Sequence, residues 1–326
     1  MILAVTPGDP QGIGPEIVWK AIRAKRFKAR LLCVGARAPF DRLGARVIEV
    51  DSQGLEPPRE RAPHVWLLPA PERAPRARLH LEGYQSGWSI ETATSLVQNG
   101  LARALVTGPI SKDRLNLGGY AYPGHTEFLA DLCDVPQVTM MLANDTLRIT
   151  LATTHVALKD VPRELSTRAV TRAVEHTGTH LERWWGRSRP RIGVAALNPH
   201  AGENGMFGRE EIETIEPALR KLRKKHPRWR IEGPLPADTL FAKHVATRPR
   251  DRFDAVVCMY HDQGLIPVKL LDFPRTVNVT LGLPIIRTSV DHGVGFDIAG
   301  KGLADPTSLI SAIRLAERLS QQASRA

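Results

Sequence analysis

Cysteine is scarce in this chain: Cys33, Cys133 and Cys258 are scattered along 326 residues, and their number is odd. That argues against a disulfide framework and leads us to expect a reducing cytoplasm. No apolar run approaches the ~18 residues that cross a bilayer, so no membrane partner is expected. The opening "MILAVTPGDP" lacks a basic n-region and reaches Asp9 at once, unlike a signal peptide. Aromatic residues make up only 6% of the chain. The densest basic runs, "KLRKKHPRWR" (221–230) and "RAPRAR" (73–78), lack the interleaved aromatics of a single-strand binding platform. The formal charge of +11 therefore reads as solvated surface, and no nucleic-acid partner is expected.

What is present is an alternation. Apolar strand-like runs begin at "ILAV" (2–5) and "RLLCVG" (30–35) and continue through "HVWLL" (64–68), "RALVTG" (103–108), "VTMMLA" (138–143) and "LRITLATT" (147–154). "RIGVAAL" (191–197), "DAVVCMY" (254–260) and "TVNVTL" (276–281) complete the set. Helical patterns fall between them, at 15–27, 89–102, 166–185, 208–225 and 305–320. This order predicts α/β layers around a largely parallel sheet. The Pro- and Arg-rich segment 54–78 reads as a surface excursion carrying one strand, and no internal repeat is found.

Open α/β sheets bind ligands beyond the carboxyl ends of their strands. Three apolar runs each deliver a histidine there: "RITLATTH" ends in His155, "RIGVAALNPH" in His200 and "DAVVCMYH" in His261. A histidine that merely satisfies a loop hydrogen bond is the ordinary case, but the recurrence of strand-end placement favours a site. Three imidazoles with an open position suit a divalent metal that polarises an oxygen. A competing pair, His176 and His180, has the i, i+4 spacing of a zinc pair, but Thr177 follows His176 where a zincin carries Glu. His64, His80, His226 and His244 lie in polar surroundings and receive no functional reading.

Several loops add to this. "TPGDPQGIGPEI" (6–17) joins a strand to a helix through Gly8, Gly12 and Gly14, but GxGxxG is absent, so this is no Rossmann fingerprint. "TGPISK" (107–112) lacks P-loop spacing. "GHTE" (124–127) opens a helical stretch whose free amides suit an anion or simple capping equally well. Further on, Lys269, Asn278 and Arg287 lie at element edges as donors fit for a phosphate or carboxylate. A run dense in glycine follows Arg287, suited to a loop wrapped around a flat ligand.

With these stretches, the chain resembles the 4-hydroxythreonine-4-phosphate dehydrogenase (PdxA) family. The resemblance rests on "GDPQGIGPEI", "TGPISK", "GHTEFLA", "LNPHAGENGMFGREE", "GPLPADTLF", "YHDQGLIPVK" and "VNVTLGLPIIRTSVDHGVGFDIAGKG", which run from residue 8 to about 306. Two of its loops are also similar to those of isocitrate and isopropylmalate dehydrogenases. The resemblance implies one unit over 1–326 with their two-lobed α/β/α fold and an active site in the cleft between lobes. Lobe 1 (1–120 plus 285–326) would carry the nicotinamide cofactor. Lobe 2 (121–284) would carry metal, substrate and dimer contacts.

Carried over residue by residue, the metal ligands fall on His155, His200 and His261. The substrate contacts fall on His125, Thr126, Lys269, Asn278 and Arg287. The cofactor loop falls on His292, Gly293, Asp297, Ala299 and Gly300. Asp305 departs from the related decarboxylating dehydrogenases, which often carry Asn there. Asp262, Asp238 and Lys269 are the candidates for catalytic roles: Asp262 could orient a ligand or bind the substrate amine, and the general base stays open between Lys269, Asp262 and a metal hydroxide. The resemblance also implies NAD or NADP, a divalent metal (zinc, magnesium or cobalt) and a homodimer whose metal site is shared between subunits. The implied reaction oxidises 4-phosphooxy-L-threonine at C3 and releases CO2. Other members act on threonate or erythronate 4-phosphate, or on a dihydrodiol dicarboxylate. A metal-dependent phosphohydrolase is a more distant alternative; it would have no need of the glycine-rich loop.

Overall fold

Leu3, Ala4 and Val5 are fully buried on both faces of their strand, as expected where helices cover a parallel sheet. The computed structural model describes all residues except 25, 26, 52–54, 57, 59–61, 77–79, 325 and 326. Its strands are β1 (Ile2–Thr6), β2 (Arg30–Gly35), β3 (Val47–Glu49), β4 (Val65–Pro69), β5 (Leu105–Thr107) and β6 (Thr139–Ala143). They continue with β7 (Arg148–Leu151), β8 (Arg191–Ala195), β9 (Arg230–Leu235), β10 (Ala255–Cys258), β11 (Val277–Leu281) and β12 (Arg287–Ser289). The α/β expectation is met. Part of the 54–78 segment lies outside the described residues; its described part supplies β4.

The chain divides into two compact units, Met1–Val138 with Leu283–Ser320, and Thr139–Gly282 with Gln321–Ala326. The first unit runs to Val138, past the boundary at 120 expected from sequence, so His125 and Thr126 belong with Arg287. In that unit the strands lie in the order β3-β4-β2-β1-β5-β12, all parallel. Ile90, Ala93, Leu105, Phe128 and Leu129 build its core. In the second unit the order is β11-β6-β7-β10-β8-β9. There β6 runs antiparallel to both neighbours, and β7, β10, β8 and β9 are parallel. Leu142, Ile149, Leu151, Val256, Leu265 and Val268 form a core cluster.

Several elements differ from the sequence reading, each for a physical reason. The helix expected at 89–102 runs from Leu81 to Gln98. Its first half carries Gly83 and Gly87, which obscure the helical signal. An added Cβ at those positions would stand 1.8 Å from the Arg114 carbonyl oxygen and 2.1 Å from the Tyr120 ring. The stretch 208–225 splits into a π turn, Glu211–Ile215, and a helix, Glu216–Lys225. The strands β3, β9 and β12 are short or polar and gave no periodic signal. Cys33 in β2, Cys133 and Cys258 in β10 are all buried and free. Burial pushes the Cys33 thiol up to about 12 and raises Cys258 as well. Among the described residues, no helix is long and apolar enough to cross a membrane.

Candidate functional site

In the second unit, β7, β10 and β8 are adjacent and parallel. His155, His261 and His200 follow their carboxyl ends, so one edge of one sheet presents all three. The turn after β10 is tied down on both sides. The Met259 carbonyl accepts the Thr153 hydroxyl (2.7 Å), which fixes the strand leading to His155. The buried Gln263 side chain accepts from the Met259 amide (2.7 Å) and donates to the Ala196 carbonyl (2.6 Å), joining β10 to the end of β8. His261 opens the helix His261–Asp272. Its Nδ1 lies 2.6 Å from Asp262 Oδ1, so the carboxylate pairs with that nitrogen and Nε2 lies outside the pairing. The rings of His155 and His261 are 5.6 Å apart.

His200 is held differently. Glu211, buried at 3% exposure, accepts the amides of Leu197 and Asn198 at 2.8 Å each. The chain then turns left-handed for five residues, with φ of 51° at His200, 56° at Ala201, 78° at Gly202, 43° at Glu203 and 57° at Asn204. Four of these are not glycine, and such strain clusters at functional sites. The His200 side chain is 64% exposed and its ring meets Phe207 edge-on. Among the described residues, no three His, Cys, Asp or Glu side chains of the single chain converge tightly enough to hold a metal. His155 and His261 come together; His200 does not complete them within one chain. The pair nonetheless fits a divalent ion: two imidazole nitrogen donors side by side, one of them paired with a carboxylate.

The other histidine pair is structural. His180 Nδ1 lies 2.6 Å from the His176 carbonyl, its Nε2 accepts the Gly282 amide, and its ring packs on Trp184.

Lys269, half-buried on the helix His261–Asp272, stands over the Phe273 ring. Asn278 sits between buried Val277 and Val279 in β11. Asp238 is exposed in the first turn of the helix Ala237–Ala246, an element that packs against the turn carrying His200.

In the first unit, Arg287 begins β12 at 3% exposure and donates to the Thr107 hydroxyl at 2.7 Å. Burial lowers its guanidinium to about 10. His125 and Thr126 open the helix His125–Leu132. The His125 Nε2 is buried with no hydrogen-bond partner among the described residues. Burial and then the Arg287 charge hold this imidazole well below its ordinary pKa. A buried cation beside a helix start with an unsatisfied imidazole is suited to an anionic ligand.

The opening loop of this unit is built by close approach of the chain to itself. At Gly8 (φ +88°) a Cβ would stand 2.0 Å from the Pro109 carbonyl oxygen, and at Gly14 one would stand 1.7 Å from that of Pro7. The buried Glu16 accepts the amides of Gly300, Gly302 and Ala304, while Lys20 donates to the carbonyls of Gly302 and Ala304. Burial alone would raise the Glu16 carboxyl, but the bonds from Lys20 and the Ala304 amide bring it below the usual value. The glycine-rich loop is thereby fastened to the helix Gly14–Ala24.

A cavity of about 950 Å3 opens beyond β1, β2 and β4, lined by Gly12, Glu16, Arg37, Gln85, Ala299 and Gly300 among others. His292, Gly293 and Asp297 share the loop but not this lining. Sequence reading missed Arg37 and Gln85; the signal available was their place, just past β2 and before a strand-facing helix turn. Asp305 accepts from the Thr307 amide (2.9 Å) and hydroxyl (2.6 Å) and so starts the last helix, an internal role for the residue that departs from the related dehydrogenases.

The family model described as pyridoxal phosphate biosynthetic protein PdxA matches residues 56–316. The chain belongs to the PdxA family. A 4-hydroxythreonine-4-phosphate dehydrogenase of Caulobacter vibrioides is 44% identical, covering 97% of each chain. A putative D-threonate 4-phosphate dehydrogenase of Bradyrhizobium diazoefficiens is 43% identical over 99% of this chain and 97% of its own. The crystal structure of 4-hydroxythreonine-4-phosphate dehydrogenase from Klebsiella pneumoniae superposes with a TM-score of 0.87 at 37% identity, covering 98% of this chain and 99% of that one. The PdxA fold is thus that of the whole chain.

Proposed function

We propose that this PdxA-family chain oxidises 4-phosphooxy-L-threonine at its C3 hydroxyl, passing the hydride to NAD⁺ or NADP⁺. The product, 2-amino-3-oxo-4-phosphooxybutanoate, would lose CO2 to give 3-amino-2-oxopropyl phosphate, in the biosynthesis of pyridoxine 5′-phosphate. The observation that carries the reading is the row of histidines at one edge of β7, β10 and β8, in a chain so similar to named dehydrogenases.

His155 and His261 of one chain, with His200 of a second, would hold zinc, magnesium or cobalt. A divalent ion there supplies positive charge that polarises the substrate hydroxyl and the later β-keto group. Asp262 orients the His261 ring and sets its tautomer. Arg287, His125 and Thr126 would bind the phosphate, Arg287 through its fork and Thr126 at the helix start. Lys269 and Asn278 would contribute further substrate contacts, with Lys269 a candidate for moving the proton. The cavity beside the loop 292–302 would take the cofactor.

The exposed Met206, Phe207, Ile266, Leu270 and Phe273 of the second unit support a homodimer, because they offer apolar area that a monomer leaves in water. The Bradyrhizobium relative favours a second substrate, threonate 4-phosphate, on the same site.

A panel of hydroxy acid phosphates with NAD⁺ and NADP⁺, followed by absorbance of the reduced nicotinamide, tests the reading. We expect turnover of 4-phosphooxy-L-threonine well above that of threonate and erythronate 4-phosphates. Arg287→Ala should cost the phosphorylated substrate about ten- to a hundredfold in kcat/KM and its dephosphorylated analogue far less. Preferred turnover of threonate 4-phosphate would move the chain to the second reading. No reduced nicotinamide from any substrate would overturn both.

A further inference from the structure

The strands that carry the three histidines have a second end. Arg148 is the first residue of β7, Arg191 the first of β8, and Phe253 and Asp254 lead into β10. Around these amino ends lies a groove of about 470 Å3, within the range of small-molecule sites. Arg148, Arg187, Arg189, Arg191, Arg250 and Arg252 line it, against only Asp145 and Asp254.

Three of these guanidiniums, those of Arg189, Arg191 and Arg252, meet no carboxylate among the described residues. Arg252 donates from Nε to the Thr247 carbonyl (3.0 Å) and from Nη2 to the Val245 carbonyl (2.9 Å). Arg148 donates to the Asp254 carbonyl and packs over the Trp185 ring. The Arg191 Nε is buried without a hydrogen-bond partner, and Arg189 has no hydrogen bond or ion pair, among the described residues. Carboxylates answer only in part: Asp254 takes Arg187 at 3.0 Å and the Arg191 amide at 2.9 Å, and Arg250 meets Asp251 at 3.6 Å. Like charges gathered in this way repel one another unless an anion joins them.

We propose that this groove is a binding site for an oligophosphate, free or as the tail of a nucleotide. Several fixed guanidiniums match linked phosphates better than a single anion, since each fork takes two oxygens. The five residues of β8 separate the groove from the histidine edge by roughly 15 Å, so a ligand here is distinct from the substrate. A nucleic acid fits less well. The Phe253 ring stacks on His244 and the Trp185 ring is covered by Arg148, so no open aromatic platform is offered to bases.

The test uses the full chain and inorganic triphosphate, titrated calorimetrically at about 0.1 M salt, where surface attraction is screened. We expect saturable binding of one triphosphate per chain. The double variant Arg189→Glu, Arg250→Glu should bind it about ten- to a hundredfold more weakly. Both residues are exposed, and an unchanged urea midpoint would show the fold kept. If the double variant fails to fold, Arg189→Gln alone should still weaken binding measurably. ATP without magnesium forms a second arm. Affinity equal to triphosphate assigns recognition to the phosphates, and tighter binding adds a nucleoside contact; both support the site. Absence of saturable binding by the wild type, or binding undiminished in the variants, overturns it. So does displacement of triphosphate by duplex DNA at lower concentration, which would make the groove a nucleic-acid surface.

Discussion

At the scale of single residues, His125 concentrates the chemistry of the first unit. It is desolvated, lies beside the Arg287 charge, and keeps one ring nitrogen unsatisfied. A base whose folded pKa lies below its unfolded value binds fewer protons folded than unfolded, so its contribution holds above the unfolded pKa and is lost as pH falls. His176 and His244 are shifted the same way by burial. We therefore expect the urea midpoint to fall as pH drops below the ordinary imidazole value of 6.5. His125→Asn should reduce the difference between about pH 7.5 and pH 5.5, because one of the neutral imidazoles is gone. An identical difference in the variant would show that His125 is not kept neutral.

At the scale of elements, the segment bearing His200 depends on one carboxylate. Glu211 is the shared acceptor for two amides and for the Asn198 side chain, just ahead of the left-handed turn. Glu211→Ala removes the acceptor of the part-buried Leu197 and Asn198 amides, at a cost of about 1–3 kcal/mol each, while the Asn198 side chain keeps Glu210. We expect a lower urea midpoint together with weaker metal retention, measured by elemental analysis after dialysis. Metal retained at the wild-type level would show that the turn does not position His200.

This element also marks where sequence reading stopped. The histidines after β7, β8 and β10 were legible because buried apolar runs announce strand ends, and strand ends are where ligands bind. The turn itself was not, since "PHAGENG" has a turn-like composition that does not specify five consecutive residues of one hand. The cavity beyond β1, β2 and β4 was also invisible: its lining comes from loops brought together only by strand order. Glu16 shows the same limit. From sequence it is an acidic residue in a first helical turn; in the structure the amides it accepts are 284 to 288 positions away.

At the scale of the whole molecule, the proposed shared metal site makes a quantitative prediction. His155 and His261 lie together while His200 does not join them, so His200→Ala and His261→Ala should complement each other when co-refolded. Random pairing makes half the dimers mixed, each with one intact site of two, and so restores about a quarter of wild-type activity under two-fold symmetry. His155→Ala with His261→Ala should restore nothing, because each chain then spoils its own pair. Equal recovery from both mixtures, or none from the first despite mixed dimers, would place the three ligands otherwise.

The buried thiols carry a last consequence. Cys33 and Cys133 lie in the first unit and Cys258 in the second, each shielded from solvent and each a poor nucleophile while folded. The chain thus contains its own chemical reporters. A pulse of alkylating reagent at rising denaturant, read by peptide mass, should mark Cys33 and Cys133 in step as the first unit opens. Cys258 keeps separate time for the second, and a gap between the two curves would measure how far the units unfold independently.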